Sequence, residues 1–175
     1  LEEGLRKKPD SVELLELKAS FELRQGKVEQ SIAALKKAIS LEPQNLRRRI
    51  SLVQILLRQE RPDEARKVIE NAVAQLPDSL EAKVAQIELV RKLDGQDEAE
   101  KKLQQMIDGA PKAHELRFIM ARLYESAGKE PQAEVVYREL ISLGAADKTA
   151  LQARTRLSQL LAKQQKYDEA LAQLE

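Results

Sequence analysis

The chain has one histidine, His114, and this limits the catalytic chemistry open to it. A Ser-His-Asp triad or an imidazole zinc site needs histidine held among other reactive groups. His114 stands three residues after Pro111, with Lys112 and Glu115 beside it, which is typical of an exposed first helical turn. Cysteine is absent, so thiolate nucleophiles, disulfides and cysteine metal ligands are excluded.

The densest group of carboxylates, Asp94-Gly95-Gln96-Asp97-Glu98, is the other candidate for chemistry. A calcium loop of the EF-hand type needs alternating oxygen ligands and a distal glutamate, which this stretch lacks. A glycine turn followed by carboxylates at the start of a helix explains it better. Glycine-rich phosphate-binding motifs and G-x-S-x-G are also missing. We therefore expect no catalytic residues, no metal site and no cofactor, in a chain that is not an enzyme.

The charge balance limits the class of partner. The 175 residues include 30 Lys and Arg against 29 Asp and Glu, a formal net charge of +1. Such a chain has no excess positive field for phosphate backbones, so we expect no nucleic-acid partner. No apolar run approaches the roughly 18 to 20 residues that span a bilayer, so we expect no transmembrane segment.

The basic run Arg47-Arg48-Arg49 is the sharpest local charge feature. Three guanidinium groups on one helical turn supply many hydrogen-bond donors, which would suit an acidic partner or phosphate. Successive helical residues point about 100° apart, however, so the three side chains face different directions. This favours a solvated or locally paired role over a shared binding site.

A 34-residue repeat organises the chain, because Pro9, Pro43, Pro77 and Pro111 are each 34 positions apart. Aligned on these prolines, one column contains only small residues, and the column four positions later contains only large apolar ones. The small residues are Ser31, Ala65, Ala99 and Ala133, and the large ones are Leu35, Ile69, Leu103 and Tyr137.

Within each repeat the apolar residues have helical spacing, interrupted near the middle by glycine or proline. Each repeat is therefore predicted to be helix, short turn, helix, with the recurring proline closing the second helix. Ala170 and Leu174 repeat the two columns 37 positions after the fourth repeat, which predicts a three-residue insertion in the loop Gly144 to Lys148. The predicted helices are roughly 1–7, 11–24, 28–41, 45–58, 62–75, 79–92, 97–108, 113–126, 131–143, 148–163 and 167–174.

This pattern resembles the tetratricopeptide repeat family, whose unit carries W-x₂-L-G-x₂-Y, then A-x₃-F, then P. The fourth repeat matches best, with Met120-Ala121 at the Leu-Gly pair, Tyr124 at the tyrosine, and Ala133 and Tyr137 at A-x₃-F. The repeats depart from the family at the tryptophan. That column contains Leu15, Arg49, Lys83, Arg117 and Arg154.

The repeat predicts the fold and its organisation. One helix pair cannot bury its apolar stripe alone, so we expect an all-α fold, a right-handed α-solenoid of antiparallel helix pairs. A single array would contain a half repeat at 1–9 and repeats at about 10–43, 44–77, 78–111, 112–146 and 147–175, the last truncated. Both ends look cut from a longer array, and such uncapped ends could self-associate.

The resemblance also implies a binding surface, because in the family the first helix of each repeat lines a concave groove for peptides or helices. Phe118 is the best candidate for an anchor, since aromatic residues carry much interface energy. Contacts between neighbouring first helices are the alternative for Ile50 and Val84. Glu16 and Ser20 occupy the columns that would open a clamp for chaperone tails, which disfavours that ligand. The predicted groove residues are Ser20, Leu23, Arg24, Ile50, Gln54, Leu57, Arg58, Val84, Glu88, Arg91, Phe118 and Arg122.

These observations predict a non-catalytic scaffold that binds a protein or peptide partner in its concave groove. A structural or self-associating spacer, and a docking arm of a larger enzyme, are the alternatives. Similarly aromatic-poor bacterial repeats serve cell-envelope assembly or exopolysaccharide export. That analogy favours the periplasm or envelope over the cytoplasm without fixing the compartment.

Overall fold

The computed structural model describes residues 1–144 and 148–174, and every regular element among them is an α-helix. The chain divides into two compact units, Leu1–Leu89 and Val90–Glu175, which are described separately. The predicted all-α class is confirmed. None of the described helices is long and apolar enough to cross a bilayer.

The helix bounds follow the repeat, and each differs from its predicted position by at most two residues. The first unit contains α1 (Glu2–Lys7), α2 (Val12–Arg24), α3 (Val28–Leu41), α4 (Leu46–Arg58), α5 (Pro62–Gln75) and most of α6 (Leu80–Asp94). The second contains the end of α6 and α7 (Gln96–Gly109), α8 (His114–Ser126), α9 (Glu130–Leu143), α10 (Lys148–Lys163) and α11 (Tyr167–Ala172).

The small-residue column lies where the two helices of a pair meet. α2 packs against α3 and α4 against α5 in the first unit, and α8 packs against α9 in the second. Ser31, Ala65 and Ala133 are all 0% exposed at these contacts, so no side chain separates the backbones there, and Ala99 of the same column is 0% exposed as well. The Ser31 hydroxyl donates a 2.7 Å hydrogen bond to the Ala19 carbonyl on the facing helix, which satisfies the polar group in this column.

A hydrophobic core in the second unit joins α8, α9, α10 and α11. Tyr137 of α9 is its largest fully buried side chain. The core residues are Ala121, Ala133, Tyr137, Leu140, Ala153, Leu157, Leu160, Leu161 and Ala170. In the first unit, Val12, Leu15 and Ala38 form a smaller cluster against which Leu5 of α1 packs.

Each turn inside a helix pair requires a residue with positive φ. Gly26 and Gly128 supply it with φ values of +75° and +70°, a conformation that costs glycine little. Glu60 and Gln165 occupy the equivalent positions at +56° and +63° despite their side chains. In the third repeat Gly95, at φ +96°, forms the whole link between α6 and α7.

The fifth repeat contains the longest of the described helices, and α6 of the third repeat, with 15 residues, is the next longest. α10 has 16 residues, whereas α2, α4 and α8 each have 13. The predicted insertion site, Gly144 to Lys148, includes residues 145–147, which lie outside the described residues. Four residues separate α9 from α10, as four separate α7 from α8, whereas α10 exceeds α8 by three residues. The three extra residues therefore lie within α10, and their predicted position in the loop is wrong.

Replacing Ala133 with leucine tests the close approach of the paired helices. Ala133 is 0% exposed where α9 packs against α8, so the larger side chain must push the helices apart, and we expect a loss of about 1 to 3 kcal/mol in unfolding free energy. The exposed Ala33 on α3 provides the control, because Ala33→Leu should change stability by less than about 0.5 kcal/mol. Equal thermal midpoints for the two variants would contradict this packing.

Two glycines with open space around them test the role of positive φ. An added Cβ at Gly128 or Gly109 meets no atom within 4 Å, but only Gly128 has positive φ. Gly128→Ala should destabilise by about 1 kcal/mol through backbone strain. Gly109→Ala, at the end of α7, should stabilise by up to about 1 kcal/mol through helix propensity. If the calorimetric unfolding midpoints of Gly128→Ala and Gly109→Ala shift in the same direction, the positive φ of residue 128 is not what requires glycine there.

Candidate functional site

A polar cleft of about 490 Å³ lies between α2 and α4 in the first unit. Ser31 and Leu35 of α3 also contribute to its lining. One wall comes from α2 with Glu16, Ala19, Ser20 and Leu23, and the other comes from α4 and the residue before it, with Asn45, Arg47, Arg48, Ser51, Gln54, Ile55 and Arg58.

The α4 wall carries a continuous polar stripe. Arg47, Ser51, Gln54 and Arg58 are spaced by four, three and four residues, which places them on one face of the helix. The Ser51 hydroxyl donates to the Arg47 carbonyl over 3.1 Å, so its oxygen lone pairs remain open to a donor. The stripe therefore presents hydrogen-bonding groups over about three helical turns.

The three residues of the basic run, Arg47, Arg48 and Arg49, have three different environments. Arg48 bonds Glu16 of α2 and also Glu42, the latter at 2.6 Å. Arg49 is 3% exposed and donates to the Pro43 carbonyl at 2.9 Å and to the Gln75 side chain of α5. The locally paired role that helical geometry predicts is confirmed for these two arginines. Arg47 is exposed and lines the cleft.

The two paired arginines experience different electrostatic environments. Burial lowers the pKa of Arg49, whose Nε also lacks a hydrogen-bond partner in the described structure. Burial also acts against the charged form of Arg48, but hydrogen bonds to Glu16 and Glu42 outweigh it and raise the pKa. Arg48 of α4 thus connects the two walls of the cleft through its ion pair with Glu16 of α2, and its charge is already neutralised by carboxylates.

Arginine has a structural function in the column where the family carries tryptophan. Arg49 donates to the carbonyl of Pro43, and Arg117 in the fourth repeat donates to the carbonyl of Pro111. In both repeats the arginine follows the proline by six residues and satisfies a backbone acceptor in the turn after a helix. The sequence analysis noted the substitution but missed this role, which the shared spacing could have revealed.

The cleft brings together four of the predicted groove residues, namely Ser20, Leu23, Gln54 and Arg58. Arg47, Arg48 and Ser51 line the same cleft. The other predicted residues lie outside the cleft lining. Arg24, Glu88, Arg91 and Arg122 are exposed, and Ile50, Leu57, Val84 and Phe118 are half-buried.

Phe118 makes core contacts in the second unit. Its ring centroid lies 5.8 Å from that of Tyr137 at a tilt of 54°, a favourable aromatic geometry. The Tyr137 hydroxyl donates to Glu125 over 2.9 Å, and burial together with this carboxylate raises the pKa of the phenol. The role of Phe118 as a binding anchor stays a prediction. Its ring contact with Tyr137 gives Phe118 a structural role as well.

A second cleft of about 490 Å³ lies in the second unit. Arg117 supplies the cation of its lining, and that guanidinium is bonded to the Pro111 carbonyl. Asp108 and Glu139 line the same cleft. Within residues 1–144 and 148–174, no group of three histidine, aspartate or glutamate side chains is arranged to hold a metal ion.

Comparison with known proteins identifies the repeat. Residues 22–87, which contain α3, α4 and α5 and parts of the flanking helices, match a family model described as tetratricopeptide repeat. The resemblance noted from the sequence is therefore confirmed. A sequence comparison with curated proteins gives no match.

Solved structures with the same fold cover nearly the whole chain. A tetratricopeptide repeat protein from Parabacteroides merdae is 19% identical over 98% of this chain and 67% of its own, with a TM-score of 0.55. A thermophilic protein of this type from Thermus thermophilus is 23% identical over 92% and 87%, with a TM-score of 0.52. PilW, described as a widely conserved type IV pilus biogenesis factor, is 19% identical over 99% and 80%, with a TM-score of 0.51. At these identities the likeness shows the fold alone, an all-α solenoid.

The bridge between the cleft walls can be measured with a double-mutant cycle of Arg48→Met and Glu16→Gln. We expect a coupling of about 1 kcal/mol, because the Arg48 side chain is only 10% exposed while that of Glu16 is 45% exposed. The surface pair Lys7 and Glu3, with side chains 71% and 69% exposed, is the control and should couple by about 0.3 kcal/mol. Denaturant unfolding that gives equal couplings for both pairs would count against the bridge.

Proposed function

We propose that this chain, which carries tetratricopeptide repeats, is a protein-interaction scaffold whose α2–α4 cleft binds an extended segment of a partner protein. The observation that supports this most strongly is the polar stripe on α4. Arg47, Gln54 and Arg58 form no side-chain hydrogen bond or ion pair within residues 1–144 and 148–174. Polar side chains arranged in line beside a cleft, with their donors uncommitted, are suited to a ligand that brings acceptors.

The shape of the cleft favours a peptide over a small molecule. Arg47 and Arg58 are eleven residues apart, so the stripe extends about 16 Å along the helix. Small-molecule sites are concave and mostly apolar, whereas this wall is polar and follows the surface of a helix. An extended peptide of about five residues has the matching length.

The chemistry of the lining favours binding over catalysis. A serine nucleophile needs a base to take its proton, but the Ser51 hydroxyl donates to a backbone carbonyl. Glu16, the carboxylate of the lining, accepts from Arg48. We therefore propose a non-catalytic role for the cleft.

A cell-envelope setting, in assembly or in exopolysaccharide export, is part of the proposal and rests on analogy with similar bacterial repeats. A self-associating spacer is the second candidate, and one observation favours it. Tyr167 and Leu171 on α11, and Leu174 just after it, are spaced by four and three residues and are each 62% exposed. The third alternative is a docking arm of a larger enzyme. It would bind a partner peptide through the same cleft, and only the protein to which the repeats are attached would differ.

Filling the cleft tests the proposed function. Peptides are selected on the parent protein from a random twelve-residue display library and then measured against Ser20→Trp and Ser40→Trp. Both serines are exposed on helices, but only Ser20 lines the cleft. We expect Ser20→Trp to weaken the selected peptides at least tenfold, because the indole occupies their site, while Ser40→Trp leaves affinity unchanged.

Circular dichroism melts of both variants separate blocking from unfolding. A selection that yields no binder, or binders with equal affinity for the two folded variants, would refute the proposal.

A further inference from the structure

We infer that the α2–α4 cleft recognises an acidic peptide in extended conformation, with Arg47 and Arg58 as two separate carboxylate anchors. This inference rests on the proposed function and adds the chemistry of the partner. It follows from the charges of the lining, from which of those charges are already paired, and from the spacing of the ones that remain.

The lining of the cleft is positively charged although the whole chain is almost neutral. It contains three arginines, Arg47, Arg48 and Arg58, and one carboxylate, Glu16, so its formal charge is 3 − 1 = +2. Glu42 lies outside the lining and offsets part of this charge through its 2.6 Å contact with Arg48. A concave surface with this sign raises the local concentration of an anionic partner.

The pairing within the cleft leaves two cations for a ligand. Arg48 bonds both Glu16 and Glu42, and its side chain is only 10% exposed. Arg47 and Arg58 are exposed and have no ion pair in the described residues. Glu16 is occupied by Arg48, so it repels an incoming carboxylate less than a free glutamate would.

The two free arginines have a spacing that an extended peptide can match. Eleven residues of helix correspond to about 16 Å of rise and to a rotation that returns within about 20° of the same face. A β-strand rises about 3.3 Å per residue and its side chains alternate between two faces, so two carboxylates face the cleft together only at an even spacing. Carboxylates four residues apart span about 13 Å, which is close enough to the distance of about 16 Å between the arginine positions for the long arginine side chains to reach both. Ser51 and Gln54 lie between the arginines on the same face and can bond the backbone of the intervening residues.

The lining favours a peptide over a single-stranded nucleic acid. Nucleic-acid grooves combine a track of cations with aromatic side chains on which bases stack. The cleft lining contains no aromatic side chain and has two uncommitted arginines. Two anchors separated by serine and glutamine are better suited to discrete carboxylates on a polypeptide.

A set of synthetic nonapeptides tests the inference with the full chain. The probe carries two glutamates four residues apart, and its relatives carry glutamine at both positions or two glutamates only two residues apart. Fluorescence anisotropy compares the parent with Arg47→Gln, Arg58→Gln and the double variant. Arg6→Gln is the control, because Arg6 is an exposed arginine on α1 outside the cleft.

The affinities expected for two separate arginine anchors differ from those of a site with a single anchor. Each single cleft substitution should weaken binding of the probe with glutamates four residues apart roughly fivefold, and the double substitution should weaken it roughly 25-fold. Arg6→Gln should leave the affinity unchanged. The peptide with glutamine at both positions should bind the parent roughly 25-fold more weakly than the probe. The peptide with glutamates two residues apart should bind roughly fivefold more weakly than the probe, because only one of its carboxylates reaches an arginine. Rising salt should weaken the probe and leave the glutamine peptide unaffected.

Other outcomes separate this inference from the proposed function. If library peptides lose affinity for Ser20→Trp but bind the double arginine variant normally, the cleft binds peptides and the acidic anchors are wrong. If a single-stranded oligonucleotide binds the parent more tightly than the probe and also depends on Arg47 and Arg58, the anchors serve phosphates and the inference is overturned. If neither library peptides nor the probe respond to Ser20→Trp, both ideas fail.

Discussion

The close approach of two helices at one small residue per repeat is the constraint on which the rest of the structure depends. Ser31, Ala65 and Ala133 are completely buried where the helices of a pair meet. Because their side chains are small, the large apolar residue one turn later can fill the adjacent space, as Ile69 does at 2% exposure. A turn of three residues with positive φ at its centre then suffices to reverse the chain, as at Gly26 and Gly128. The pairing geometry therefore determines which residues of α2 and α4 are left to form the cleft.

Charged residues connect successive repeats, which explains why the chain has almost equal numbers of cations and anions. Arg61 bonds Glu29 at 2.5 Å in the first unit, and Lys129 lies 3.7 Å from Asp97 in the second. Both pairs join the same two columns, since 129 − 61 and 97 − 29 are each 68, or two repeats. Exposed pairs of this kind contribute little free energy each. Their value lies in matching one repeat to the next while leaving the net charge near zero, so that the positive cleft stands out against a neutral surface.

Most of the fold could be predicted from the sequence because its information is periodic. Helix bounds, the buried small-residue column and the turns within helix pairs all recur about every 34 residues. Each of these features is therefore seen several times in the sequence, once in each repeat. The site was less accessible, because its properties depend on pairs of residues far apart in the chain. Arg48 is neutralised by Glu16, 32 positions earlier, and Arg49 is bonded by Gln75, 26 positions later. No local pattern distinguishes these arginines from Arg47. Phe118 illustrates the same limit, because only the packing shows its ring against Tyr137.

The replacement of the family's tryptophan by arginine connects the fold to the cleft. Arg49 brings a charge into the position that the family fills with an indole ring, and its terminal nitrogen donates to the Pro43 carbonyl and to Gln75. These bonds fix the rotation of α4 about its axis at that residue. Since each step along a helix turns by about 100°, fixing Arg49 inward also directs Arg48 towards α2 and Arg47 into the cleft. The orientation of Arg47 then extends to Ser51, Gln54 and Arg58, which share its face. The buried guanidinium, together with Leu52 and Leu56 on the same buried face of α4, thus determines which polar side chains the cleft presents.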